Sequence, residues 1–106
     1  MRSFRSYKDA MGTPSDVLDP STMRYAVTLN AGVPKTIAVP AGAQTVLFAS
    51  TGPFWVRYGA PAALPVDDDT GGDAPELAPA ARWIARVTVL GLVAPAACTV
   101  SLAFYG

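Results

Sequence analysis

The sequence predicts an all-β fold, a sandwich or jelly-roll-like domain of seven to eight short strands with an irregular N-terminal arm. Three observations carry this expectation. From Arg24 onward, short apolar or alternating runs are broken by Gly, Pro, Asn and Asp at intervals of about 8–12 residues, the rhythm of strand-and-turn domains. The stretches that would permit a helix contain Pro or Gly. The first 23 residues (MRSFRSYKDAMGTPSDVLDPSTM) hold few aliphatic residues and sustain no period of 2 or 3.6, while Gly12, Asp16 and Asp19 are turn formers. Residues 1–23 therefore read as an extended arm and residues 24–106 as one β-sandwich domain.

Taken in order, Tyr25, Val27 and Leu29 alternate with Ala26, Thr28 and Asn30. Asn30-Ala31-Gly32 then supplies a turn into Thr36–Val39, which predicts a hairpin. Pro40–Ala43 turns the chain into Gln44–Ser50, rich in β-branched and aromatic residues. After Thr51-Gly52-Pro53, Phe54, Val56 and Tyr58 share one face and Trp55 and Arg57 the other, so this strand has bulk on both sides and is a candidate for double cover. Ala60–Ala81 holds four prolines, two glycines and five acidic residues without a basic one, the composition of a long surface loop, in which a few residues around Leu64–Val66 are a candidate edge strand. Arg82–Leu92 is read as one strand with Trp83, Ala85, Val87 and Val89 inward, ended by Val93–Ala97. Cys98–Tyr105 closes the domain with Val100, Leu102 and Phe104 on one face. The expected core is Val27, Leu29, Ile37, Val39, Val46, Phe48, Val56, Trp83, Val87, Val89, Val100, Leu102 and Phe104.

Composition narrows the function classes. The 106 residues carry eight basic and eight acidic side chains, and only 15% are charged, so neither nucleic acid nor a membrane surface is an expected partner. Met1–Ala10 is polar, without the apolar run of an export signal, and Val87–Cys98 is too short and too interrupted for a span. There is no His and one Cys, which removes most nucleophile–base pairs, most zinc sites and any internal disulfide. No catalytic residue, metal ligand or cofactor is assigned, and the chain is expected not to be an enzyme. Half of the residues are apolar and mean hydropathy is +0.30, more apolar surface than one small core readily hides. Some of it is expected to face a partner.

Four features bear on chemistry. Asp67, Asp68, Asp69, Asp73 and Glu76 resemble a calcium loop in content, but counted from Asp67 the fifth position is Gly71 and the twelfth Ala78, so two required ligands are missing. The same carboxylates, offered as a hydrolase pair, lack a dry pocket to keep one of them protonated. Cys98 starts an apolar strand with no base to ionise it and reads as a packing residue. Trp55, Tyr58, Trp83 and Tyr105 offer the best case for a sugar platform, although aromatics at strand period more often fill a core or an interface.

The run Leu29–Tyr58, the acidic Pro/Gly loop and the close Val93–Val100 resemble small virion proteins encoded among the structural genes of tailed bacteriophages. The resemblance implies a β-rich head decoration (capsid cement) protein that sits on the outside of the shell, is assembled in the host cytoplasm, and reinforces contacts between major capsid proteins. It carries over no site residues. The expected partners are the major capsid protein and neighbouring copies on the shell, as a homo-oligomer. The arm is the expected strap, because ordering its backbone costs roughly 1–2 kcal/mol per residue and needs partner surface to offset it. Its expected contacts are Phe4, Tyr7, Met11, Val17 and Leu18 as apolar anchors and Arg2, Arg5 and Lys8 as charges for a neighbour's carboxylates. The rival reading is a carbohydrate-binding or tail-associated β-sandwich module gripping its ligand through Trp55, Tyr58 or Trp83.

Overall fold

The computed structural model describes Met1, the backbone of Ser6–Lys8 and Pro14–Leu18, and residues 20–106. Among the described residues there is no helix. Two short strands, β1 (Ser6–Lys8) and β2 (Pro14–Leu18), pair antiparallel as a ribbon that belongs to neither main sheet. The arm is thus not irregular throughout; these backbone segments pair although their sequence lacks sustained alternation.

Eight further strands form the domain: β3 (Met23–Leu29), β4 (Lys35–Ala38), β5 (Thr45–Ser50), β6 (Trp55–Tyr58), β7 (Glu76–Leu77), β8 (Ala81–Trp83), β9 (Val89–Val93) and β10 (Cys98–Tyr105). They make two packed antiparallel sheets, β3-β10-β5-β8 and β4-β9-β6-β7. Apart from the link between β6 and β7, each connection carries the chain from one sheet to the other. Two interleaved four-stranded sheets of this order are the double Greek key of a jelly roll.

Between the sheets lie Leu29, Val46, Phe54, Val56, Ile84, Leu90, Leu92, Val100, Leu102 and Phe104, each nearly inaccessible to solvent. Rings set the spacing: Tyr25 meets Phe104 edge-on at 5.1 Å, and Phe48 lies 5.9 Å from Phe54 of the facing layer. Val27, Leu29, Val46, Phe48, Val56, Val100, Leu102 and Phe104 are buried as their alternation requires, and Ile37, Val39 and Val87 are partly buried against the core.

Three sequence expectations are corrected. The Asn30-Ala31-Gly32 turn does not close a hairpin: β3 pairs with β10 and β4 with β9, so the turn is a crossover between sheets, held by the Gly32 amide donating to the Ala94 carbonyl at 2.8 Å. Leu64–Val66 pairs with nothing described; the strand of that loop is Glu76–Leu77, against β6. Arg82–Leu92 is two strands with its faces inverted, because a turn at Ala85-Arg86, closed by the Val87 amide donating to the Ile84 carbonyl at 3.0 Å, sends β8 and β9 to opposite sheets. Ile84 and Leu90 are inside, whereas Trp83 is 70% exposed and Val89 only half-buried.

Candidate interaction surfaces

Each open side of the sandwich is crossed by a charged side chain. On one side, Lys35 of β4 donates through Nζ to the Thr28 carbonyl of β3 at 2.8 Å. On the other, Arg82 of β8 meets Glu76 of β7, with Nη2 2.6 Å and Nε 3.1 Å from Oε2. This two-donor contact joins the edges of the two sheets. Tyr58 lies next to it with its hydroxyl buried beside Glu76 and Arg82, and burial, then the neighbouring Glu76 carboxylate, push its phenol well above the ordinary tyrosine value. Arg82 in turn holds the Glu76 carboxyl below the usual carboxylate range, against the smaller opposing effect of its own burial.

The acidic loop is tied to the domain it leaves. Arg57 of β6 bonds Asp73 at 2.9 Å, and the Asp67 carboxylate accepts from the Asp68 amide at 2.7 Å. The loop's first turn lies directly on β9: a methyl group at Gly91 would stand 2.3–2.8 Å from the backbone of Ala60, Pro61 and Ala62. This layer supplies the second cover anticipated for β6, with Trp55 and Arg57 half-buried on the outer face and Val93 fully buried. Two shallow depressions, of about 300 and 380 Å³, flank Arg57, the first lined by Leu64, Pro65 and the Asp67–Asp69 run. Among the described residues no three His, Cys, Asp or Glu side chains stand close enough to share a metal ion.

The outer face of the first sheet has a different chemistry: Arg24, Ala26, Ala49, Ala81, Trp83 and Ser101 are exposed there, whereas Tyr105 and Thr45 are buried. Register places Ala26, Ser101 and Ala49 in one row, Arg24, Ala103, Leu47 and Ala81 in the next, and Tyr105, Thr45 and Trp83 in a third. Arg24 is the only charge among these residues. A solvent-facing sheet usually carries more charge than this, so the face has the composition of a contact surface. Sequence reasoning missed this face; the small residues alternating in Arg24–Thr28 and Thr99–Ala103 are the signal that could have found it.

The aromatic residues considered as a sugar platform are dispersed. Trp55 projects from the outer face of the second sheet, Trp83 from the outer face of the first, Tyr58 points between the sheets, and Tyr105 is buried. Cys98 is a buried free thiol in the core. Of the expected arm contacts, Arg2, Phe4, Arg5 and Met11 lie outside the described residues, as do the side chains of Tyr7, Lys8, Val17 and Leu18, whose backbone forms β1 and β2. The ends of this segment are placed: Met1 lies beside Gly42 and Gly106, and Ser21, buried, accepts from the Met23 amide at 3.0 Å and donates to the Phe104 carbonyl. Both ends of the arm are therefore rooted at one pole of the sandwich, next to the C-terminal end of β10. Comparisons with protein-family models, curated proteins and solved structures find no match.

Proposed function

We propose that the chain is a non-enzymatic structural subunit of a phage virion that attaches to the outside of the capsid and reinforces contacts between major capsid proteins. The observation that carries the reading is the β1–β2 ribbon, paired within itself, separate from both sheets and anchored at one pole of a domain that has its own core. A two-stranded ribbon is marginal alone in water, so it gains most by lying on a neighbour. The weakly charged outer face and the exposed Trp83 add apolar contact area, and the resemblance to tailed-phage virion proteins supplies the kind of neighbour. Jelly rolls recur in viral capsid domains and in lectins, an argument by analogy that favours both readings of this chain.

Sedimentation of a lysate that contains assembled capsids tests the proposal: the protein should travel with the particle fraction and be absent from it when capsids are omitted. Recovery solely in the soluble fraction would count against it. Trp83 keeps the carbohydrate reading open to one check, since its indole is accessible to a sugar face. A saccharide-dependent change in tryptophan fluorescence, lost in Trp83→Ala, would move the assignment to a lectin-like module.

A further inference from the structure

Four strands end the two sheets, and three of them are short: β4 has four residues, β7 two and β8 three, whereas β3 has seven. Short or guarded edges are how soluble β proteins avoid unwanted pairing. The β3 edge has neither a bulge nor a proline, and its register with β10 is unbroken from Met23 to Leu29. Which of its groups face outward follows from its neighbour: the Thr99 and Tyr105 carbonyls of β10 accept on the β5 side and the Phe104 carbonyl on the β3 side. Strand alternation then directs Tyr25, Val27 and Leu29 toward β10, and turns the amides and carbonyls of Arg24, Ala26 and Thr28 away from it. Of these, the Thr28 carbonyl is held by Lys35.

We propose that this edge is a two-fold interface, at which β3 of one copy pairs antiparallel with β3 of a second and extends the first sheet across both. The edge is self-complementary. Centred on Ala26, the outward groups of Arg24, Ala26 and Thr28 meet those of Thr28, Ala26 and Arg24 of the other copy, which is the isologous pattern two-fold symmetry requires. Facing side chains are compatible, with Ala26 against itself and Tyr25 against Val27. The one charge on the strand, Arg24, faces Thr28 of the other copy, where the exposed Lys35 side chain gives up the Thr28 carbonyl to the incoming Arg24 amide and swings into solvent. The two copies of Arg24 stand four residues apart along the ladder, about 14 Å. That separation exceeds the screening length of about 10 Å at 0.1 M salt. Pairing also joins the two outer faces into one continuous, weakly charged surface. The inference rests on the sheet geometry and holds whether or not the protein is a virion subunit.

Sedimentation velocity of the full chain should show a species of twice 11.0 kDa that dissociates on dilution. Residue 26 faces its own copy, so Ala26→Asp and Ala26→Lys should each give monomers with an unchanged circular dichroism spectrum, and an equal mixture of the two should recover the dimer. Amide hydrogen exchange on the unaltered chain gives an independent reading: the Arg24, Ala26 and Thr28 amides should gain protection as concentration rises. A chain that stays monomeric, a dimer that survives both charges, or a mixture of the variants that remains monomeric would overturn the proposal. So would protection of those amides at every dilution in a monomer, which assigns the edge to the chain's own N-terminal segment.

Discussion

Gly91 is where the fold leaves least room, because the acidic loop begins by crossing β9 at backbone contact distance. Ala at this position forces the loop or the strand to move, and overpacking of this kind costs about 1–3 kcal/mol. The denaturation midpoint of Gly91→Ala should fall accordingly, with faster exchange of amides in 60–75; an unchanged midpoint would mean that the loop does not lie on β9. At Glu76 the controlling variable is pH. Its carboxyl is held below the ordinary glutamate value mainly by Arg82, so the pair's contribution to stability is present above the unfolded-state pKa, near 4.3, and is lost as pH falls through the lower folded value. Both partners are about two-fifths exposed, and solvent screening keeps that contribution small. Glu76→Gln should melt slightly below the parent at pH 7, and the two should converge in acid; a gap that persists in acid would assign the effect to something other than the ion pair. Tyr58 should resist ionisation past pH 10, which ultraviolet titration reads against the ordinary tyrosine value.

Among the elements, β3, β6 and β10 were legible from alternation and β5 from its β-branched and aromatic content, since each has one face that meets the core and the strands run without interruption. The segment 82–92 misled for a physical reason. Both of its faces carry apolar residues, and the turn at Ala85-Arg86 contains no Gly or Pro to announce it. Trp83, the largest apolar side chain there, belongs to the outer face of an edge strand, while the smaller Ile84 fills the core. Gly91 was the one sequence sign that backbone covers this region from outside. Replacing Ile84 with Ala should therefore cost about 2–5 kcal/mol and Phe104→Ala about 3–5 kcal/mol. Trp83→Ala should stay within about 0.5 kcal/mol of the parent, as exposed substitutions do. Equal losses at Trp83 and Ile84 in chemical denaturation would reverse the faces assigned here. The ion pairs Arg57–Asp73 and Glu76–Arg82 were not legible, because nothing in a single sequence says which arginine a loop carboxylate will meet after the chain crosses between sheets.

For the whole molecule, the fold class followed from pattern, but the strand order did not. Alternation specifies which face of a strand is buried and is silent about which strand lies beside it. The jelly-roll order joins the beginning of the domain to its end, β3 to β10, and so sets the arm and the C-terminus at one pole. That arrangement leaves a domain whose core draws on residues 27–104, with Met1 and Ser21, the ends of the arm, at that same pole. In the proposed function the arm is the strap. Removal of residues 1–20, with Ser21 kept to cap β3, tests it most directly in a capsid co-sedimentation assay. If the arm is the strap, the truncated protein keeps the parent's β spectrum and melting point and no longer travels with capsids. A truncated protein that binds capsids as tightly as the full chain would contradict it, and attachment would then run through the sandwich itself.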